Sequence, residues 1–563
     1  MTRRNLAHDD DAVLAAINDS DFGEDSDEDE NWVPPGEEPD SPSDEDQEDD
    51  VRAPVVAAPA TTNTWTKRSF RGKPMPSVAS SMEEVRSPSE YFEKYLPEDI
   101  FEKFALYTNI YYQTTKNETL KHPITAAEVK KFFGVNGILG CVKYPRIKMA
   151  WLQRFRLPYI TEALTRDRFF LIRTNLHIVD KSAVEAQEKN RNRLWLVQPL
   201  IDSVRNRCLE LPRDHGTYSI DEQMVPFLGK CPVKQYVPGK PRPVGLKNFV
   251  ITSSRGLIID FEIYQGNTTP LPNTSLGLGP SVVLRLISTL PKGSFIFFDR
   301  YFTTIPLMEK LIDEQIDGTG TLMTNRFKGY TFKKDSQMKR GDYEEVVNAG
   351  RNVCVVKWKD SKPVLMTSTC LGSQPLVEVE RWDKTSKSYI SVPCPNIVKK
   401  YNENMGGVDV SDQMLEAYRS WHKSRKWPVK VFMHLFDMSL VNSWYEYRKA
   451  SLSNKQKYMD FLDFKLTVSD FLLGGTSRKR QRDPTDDLAQ MPETSHYKPA
   501  TIPTIDKRLD GYNHWPIVDT IKAPRCCRLK GCNSRSKVRC TKCDVYLCST
   551  KDNHCFFKFH NEK

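Results

Sequence analysis

No stretch of this chain approaches the run of about eighteen apolar residues that a membrane-spanning helix needs, so no membrane partner is expected. Met1-Thr-Arg-Arg leads into acids rather than an apolar leader, so a soluble, intracellular protein is expected. Basic residues are nearly missing at the start: residues 1–50 hold twenty Asp and Glu against two Arg, a net of −18. The whole chain is +9, which leaves +27 on residues 51–563. A basic body behind an acidic tail implies a polyanion such as DNA, with the tail screening that surface or recruiting basic chromatin proteins. Cysteine is sparse over most of the length, and seven of the thirteen fall between Cys526 and Cys555. That clustering argues against a disulfide framework and for metal in a reducing compartment.

At 563 residues the chain is too long for one core. Residues 1–87 lack periodicity and are rich in acids, Pro and Ser, so a disordered acidic tail is expected, with Ser20, Ser26, Ser41 and Ser43 as phosphorylation candidates before acidic runs. Residues 88–214 turn helical. Thr125 and Glu128 form a capping box ahead of Val129, Phe132 and Phe133, and further helices are expected over 166–176 and 193–209. From Thr217 the texture is that of strands: 217–227, 246–253 and 257–264, then a helical run through Val282–Leu290 and the wholly apolar Phe295–Phe298.

Three strands, a helix and a strand, with Asp221 in the first strand and Asp299 ending the fourth, is the order of an RNase H-like core in which those two strands lie side by side. The core spans 215–316 and resumes over 401–470, interrupted by a β-rich insertion at 317–400. In the second part, Gly406-Gly407 precedes a helix on which Asp409 and Asp412, spaced i and i+3, share a face. Each aspartate alone fits an ordinary turn or cap residue; the case rests on the set. Buried carboxylates brought together repel unless a cation lies between them, and Mg²⁺ prefers such oxygen ligands. Two such ions support phosphodiester cleavage.

The motifs Ser219-Ile-Asp221-Glu-Gln223, Lys240-Pro-Arg-Pro-Val-Gly245-Leu-Lys247, Phe298-Asp299-Arg-Tyr-Phe302, Gly318-Thr-Gly-Thr321 and Tyr401-Asn-Glu-Asn-Met-Gly-Gly407-Val-Asp409-Val-Ser-Asp412 resemble the piggyBac transposase family, in the right order over about residues 88–563. The resemblance implies a DDE/D recombinase whose 88–214 segment serves dimerisation and DNA binding, acting as a homodimer in the nucleus. It places the catalytic, Mg²⁺- or Mn²⁺-binding triad on Asp221, Asp299 and Asp409, with Asp412 as the accessory acid. It also implies hydrolysis at element ends, a hairpin intermediate and joining at TTAA. Many relatives have Asn after the second Asp; here Arg300 stands there, positioned to pair with Asp299 or to contact a phosphate. The alternative is a domesticated chromatin or DNA-binding protein without nuclease activity.

Lys234, Lys240, Arg242 and Lys247 between the first core strands are candidate phosphate contacts. Trp421, Lys423, Arg425, Lys426 and Trp427 form a second basic and aromatic cluster able to stack on unpaired bases, although Trp427 before Pro428 equally fits packing at a helix start. Arg478, Lys479, Arg480 and Arg482 in the 471–521 basic linker read as a nuclear-import patch.

The 522–563 segment cannot build an apolar core alone, and Cys527, Cys532, Cys540, Cys543, Cys548, His554, Cys555 and His560 suffice for two tetrahedral Zn²⁺ sites. A cross-brace would put Cys527, Cys532, Cys548 and His554 on one ion and Cys540, Cys543, Cys555 and His560 on the other. Cys526 is left over, able to replace its neighbour. In the resembling family this module recognises DNA at the element ends.

Overall fold

Ser87, Thr125 and Thr165 each cap a helix start, their hydroxyl oxygens accepting a backbone amide of the first turn. The helical segment holds α1 (Pro88–Glu93), α2 (Glu98–Lys116), α3 (Ala126–Val142), α4 (Pro158–Ala163), α5 (Arg166–Asn175), α6 (Ala186–Arg191) and α7 (Gln198–Glu210). At α3, Thr125 Oγ1 accepts from Glu128 N at 3.3 Å and Glu128 Oε2 accepts from Thr125 N at 3.0 Å, which is the expected capping box. Arg168 of α5 donates to the same carboxylate at 2.7 and 2.9 Å, tying two helices together. Helix α7 starts five residues later than its apolar stripe suggests, with Pro199 in its first turn.

The computed structural model describes residues 64–76, 83–213, 216–272, 275–384, 386–420, 424–475, 502–521, 523–550 and 553–562. It divides into two compact units, residues 1–477 and 478–563. No helix among the described residues is long and apolar enough to cross a membrane.

The first unit is built on one sheet. Ahead of the helices lies β1 (Trp65–Thr66). After them come β2 (Thr217–Pro226), β3 (Lys234–Tyr236), β4 (Val244–Ser253), β5 (Ile258–Ile263), α8 (Leu278–Ile287), β6 (Phe295–Phe298), α9 (Ile305–Asp313) and β7 (Asp317–Thr321). Next are β8 (Tyr343–Asn348), β9 (Cys354–Lys359), β10 (Pro363–Ser368), β11 (Val377–Asp383) and β12 (Ser388–Cys394). The sheet order is β1-β8-β9-β10-β7-β6-β2-β4-β3, with β5 also paired to β4. Strands β2, β6 and β7 run parallel; the remaining pairs are antiparallel. All four residues of β6 are buried, as its unbroken apolar run requires.

Two expectations are corrected. The acidic tail was drawn to residue 87, yet residues 64–76 lie on the sheet: β1 pairs with β8, Trp65 and Phe70 are buried, and Lys73 Nζ meets Asp317 Oδ1 at 2.8 Å. Two aromatic anchors in a polar stretch are too few to show a period. Residues 317–400 are β-rich, but β7 to β10 continue the sheet outward from β6 instead of standing apart. Within that segment, β11 and β12 form a separate two-stranded ribbon.

Four helices complete the unit: α10 (Asn396–Asn404), α11 (Gly407–Ala417), α12 (Trp427–Ser453) and α13 (Phe461–Leu472). Helix α12 runs through the core, where Phe432 meets Phe104 edge-on at 5.0 Å between ring centroids and Phe436 meets Phe92 at 5.8 Å. It also holds the sheet by hydrogen bonds. The Asn442 amide accepts from Ile258 N at 3.0 Å and donates to Ile258 O at 2.9 Å, satisfying a strand end that would otherwise be buried unpaired.

Candidate functional site

Strands β2 and β6 pair in parallel with Ile220 opposite Phe298. One residue further, the same register sets Asp221 beside Asp299, on strands spaced about 4.8 Å apart. Asp221 accepts from Glu222 N at 2.7 Å and Asp299 from Tyr301 N at 2.9 Å, so backbone amides orient both carboxylates. Gln223, two residues on and therefore on the same face of β2 as Asp221, donates through Nε2 to Asp412 Oδ1 on α11.

Helix α11 reaches that face because its first residue has no side chain. A Cβ on Gly407 would lie 2.4 Å from Ser253 O and 2.5 Å from both Ser219 Oγ and Thr252 Oγ1, so only glycine allows the helix start to rest on β2 and β4. Asp409, in the first turn of this helix, is exposed.

The electrostatics show that these acids act on one another. Burial raises Asp221 well above the usual carboxylate range, and the charges of Glu222 and Asp299 add to it against Lys240. Burial and Glu222 likewise raise Asp299. Asp412 is pushed up to about 6 by burial, opposed by the Gln223 hydrogen bond and Lys240. Burial would lower Lys240, but the charges of Asp221, Glu222, Asp412 and Asp409 hold it above its ordinary value. The Tyr401 phenol is raised by burial and then by Asp299, Asp221 and Asp409. Acidic charge is therefore in excess, and Glu222 Oε2 is a buried acceptor without a hydrogen-bond partner. Orphaned oxygens and mutually raised carboxylates are what a hard divalent cation relieves. No three of these carboxylates close to within 4.8 Å of one another, the spacing at which two Cys/His tetrads of the second unit converge.

Several candidate DNA contacts sit differently from expectation. Lys240 donates to Glu222 O at 3.0 Å and lies 3.6 Å from Glu222 Oε1, while Lys247 is packed over the rings of Tyr301 at 4.2 Å and Phe249 at 5.0 Å. Both serve the acidic cluster first. Lys234 is exposed on β3 and donates to Gly229 O. Arg242 pairs with Glu416. Lys426 donates to Thr174 O at 2.9 Å, and Trp427 is only 2% exposed at the start of α12, so it is a packing residue and offers no face to a base. Arg300 is exposed and, among the described residues, makes no ion pair with Asp299. The import patch Arg478, Lys479, Arg480 and Arg482 and the residues Trp421 and Lys423 lie outside the described residues.

The second unit contains α14 (Ile505–Arg508), β13 (Pro516–Val518), β14 (Arg525–Cys526), β15 (Arg535–Ser536), β16 (Val538–Cys540) and α15 (Cys555–Asn561). Its ligating atoms form two tetrads, Cys527, Cys532, Cys548 and Cys555, and His514, Cys540, Cys543 and His560. The tetrads interleave along the chain, but their membership corrects the expected pairing. His554 is exposed at the start of α15 and belongs to neither; its neighbour Cys555 takes its place, and His514 completes the other group. Cys526 is exposed and stays out. His514 Nδ1 lies 3.4 Å from both Cys540 Sγ and Cys543 Sγ, while its Nε2 meets Asp510 Oδ1 at 3.0 Å, the carboxylate support typical of a metal-bound imidazole. His560 spends Nδ1 on Phe556 O at 2.8 Å, leaving Nε2 buried and unpartnered. Four thiolates in one group and two thiolates with two imidazoles in the other are donor sets that could each hold a tetrahedral zinc ion.

A family model described as Transposase IS4 matches residues 87–444. The human piggyBac transposable element-derived protein 3 is 30% identical over 487 residues, covering 85% of this chain and 77% of that protein. This chain belongs to the piggyBac transposase family. The human piggyBac transposable element-derived protein 2 is 29% identical over 480 residues, covering 82% and 76% of the two chains. Among solved structures, the cryo-EM structure of a piggyBac transposase synaptic complex with hairpin DNA matches with a TM-score of 0.61 at 21% identity, over 83% of this chain and 96% of that one. The large mixed sheet and its helices are thus the fold of a piggyBac transposase.

Within that fold, sequence reading missed Glu222, Gln223, Tyr401 and His514. The first three lie in the quoted motifs beside or near the aspartates, and their roles depend on which face of a strand or helix they occupy. His514 stands eight residues before the module boundary drawn from cysteine density, and a single histidine in a polar linker carries no spacing signal.

Proposed function

We propose that this protein is a DDE/D-type DNA transposase that cleaves and joins DNA strands at element ends, with an RNase H-like catalytic core. The observation that carries the reading is the parallel β2 and β6 register that sets Asp221 beside Asp299, with α11 and its Asp409 and Asp412 laid on the same sheet by Gly407. Asp221, Asp299 and Asp409 would hold Mg²⁺ or Mn²⁺, and the unpartnered Glu222 oxygen is a further donor. A pair of such ions supplies an activated attacking oxygen and a stabilised leaving oxygen. Gln223 orients Asp412 beside the triad, and Lys240 tempers the charge of the carboxylates.

Arg300, exposed beside Asp299, is free to meet a phosphate rather than to quench its neighbour. The zinc module binds DNA at the element ends, the protein acts as a homodimer in the nucleus, and joining occurs at TTAA, in keeping with the family. A second reading, a DNA-binding descendant that no longer cuts, is favoured by two relatives that are named transposable element-derived proteins. Purified protein, incubated with Mg²⁺ or Mn²⁺ and duplexes carrying candidate inverted repeats next to TTAA, separates the two. Strand cleavage lost in Asp221→Ala supports the transposase, and binding without cleavage supports the second reading.

A further inference from the structure

Lys240, Lys247 and Lys465 all face acids, and they are held in different ways. Lys465 is sealed: its side chain is 1% exposed, and its ammonium donates to Asp437 Oδ1 at 2.9 Å and to Tyr418 O at 2.6 Å. Lys247 lies against the rings of Tyr301 and Phe249, at 4.2 and 5.0 Å from their centroids. Lys240 has neither kind of lock. Its side chain is 25% exposed and its ammonium donates to Glu222 O at 3.0 Å. Among the described residues its closest carboxylate oxygen is Glu222 Oε1 at 3.6 Å, beyond a hydrogen bond. An ammonium has three N–H groups to give, so Lys240 holds its place with donors to spare.

The loop between β3 and β4 puts Lys240 there. Residues 237–243 carry Pro238, Pro241 and Pro243, and Val237 N donates to Pro243 O at 2.8 Å, closing the loop on itself. Gly239 turns the chain at φ +81°, a conformation that side chains resist. The backbone is thus constrained, and the freedom that remains is that of the four-carbon Lys240 stem. The charges of Asp221, Glu222, Asp412 and Asp409 all act on its ammonium. A divalent ion on those carboxylates reverses the balance: attraction to acids becomes repulsion from the ion, and the loosely bonded cation is the part able to move. A phosphate oxygen nearby is then its strongest partner.

We propose that Lys240 is a place-holding cation: it neutralises the carboxylate cluster before metal binds, yields to the metal, and then donates to a phosphate of the bound strand. The proposal rests on the metal-dependent reading above and makes the Lys240 phosphate contact conditional on metal.

The test uses zinc-loaded full-length protein. Free Mn²⁺ is followed by electron paramagnetic resonance as protein is titrated. Lys240→Met, neutral and of similar length, is expected to bind Mn²⁺ about tenfold more tightly than the parent, because the competing charge is gone. Lys240→Arg keeps the charge and should stay within about threefold of the parent. Asp299→Asn should lose the site, and adding Lys240→Met to it should restore nothing, which places the effect at the carboxylates. In EDTA, Lys240→Met should melt below the parent, and saturating Mn²⁺ should raise its Tm by more than it raises the parent's. A second arm reads anisotropy on a duplex bearing candidate inverted-repeat ends, with Ca²⁺ or with EDTA. With Ca²⁺, the slope of log Kd against log salt should fall by about one in Lys240→Met, the mark of one lost phosphate contact, and in EDTA it should not change.

Mn²⁺ affinity that is unchanged or weaker in Lys240→Met overturns the exchange, since a lysine that only supports the fold gives one of those results. Tighter Mn²⁺ binding with a parent-like slope in Ca²⁺ overturns the phosphate contact, and a slope that falls equally in EDTA overturns its dependence on metal. If the parent binds Mn²⁺ and DNA but does not cleave, the transposase reading fails, and both arms still decide the role of Lys240.

Discussion

Asp221 and Asp299 stand side by side because the parallel pairing of Ile220 with Phe298 ends one residue before both. Burial raises both carboxylates above their ordinary range, with Glu222 and Asp299 adding to the rise of Asp221 and Glu222 to that of Asp299. Asp221→Asn and Asp299→Asn should each reduce metal-dependent strand cleavage by at least about 10³-fold while leaving DNA affinity within a few fold, since only the ligand charge is removed. Gel assays of cleavage beside anisotropy binding check this.

Asp412 gives a pH dependence of defined sign. Its ordinary value is 3.8 and burial pushes it up to about 6, so between those values the folded protein keeps a proton that the unfolded chain has released. Stability from this group is fully present below its unfolded value and is lost as pH rises through about 6. Without divalent metal, Asp412→Asn should therefore be more stable than the parent at pH 8, by at most about 3 kcal/mol, and equal to it near pH 4. Urea titrations at both pH values test it.

Gly407→Ala places a Cβ 2.4 Å from Ser253 O and forces α11 off the sheet. Overpacking of this kind costs about 1–3 kcal/mol. Cleavage should fall with it, because Asp409 and Asp412 move together, and DNA affinity should hold. Thermal denaturation and the cleavage assay read the two effects separately.

The zinc tetrads make a prediction opposite to the one drawn from spacing. Cys555→Ser and His514→Ala should each reduce the zinc content from two ions to one, while His554→Ala should keep both. Native mass spectrometry counts the ions directly. Retention of two ions in His514→Ala together with loss in His554→Ala would restore the pairing expected from the sequence.

The side chain of Lys465, 1% exposed, pairs with Asp437, 4% exposed. Lys465→Met leaves a buried carboxylate without its cation and should cost about 3–5 kcal/mol, measurable by urea denaturation.

What was legible in the sequence follows from what is local. The Thr125 and Glu128 capping box, the wholly apolar β6 and the strand runs of the core depend on neighbours a few residues away, and the structure has them close to where the pattern puts them. The meeting of β2 with β6 was readable because strand order constrains which strands become neighbours. Contacts made over long sequence separations were not readable. Trp65 pairs opposite Asn348, Gln223 reaches Asp412, and His514 joins Cys540, Cys543 and His560; in each of these one partner, Trp65, Gln223 or His514, carries no periodic or spacing signal. Trp427 shows the converse, since an aromatic beside basic residues looks like a nucleic-acid contact until its burial in α12 is known.

The central claim is that Asp221, Asp299 and the acids of α11 form one metal-dependent cleavage site. Its most direct test is Mg²⁺- or Mn²⁺-dependent cleavage of a duplex bearing inverted-repeat ends beside TTAA, with parent protein and Asp299→Asn side by side. The account predicts nicks at the repeat boundary for the parent, abolished by chelation and by the substitution. Equal cleavage by Asp299→Asn, or tight binding by the parent with no cleavage under either metal, would contradict it.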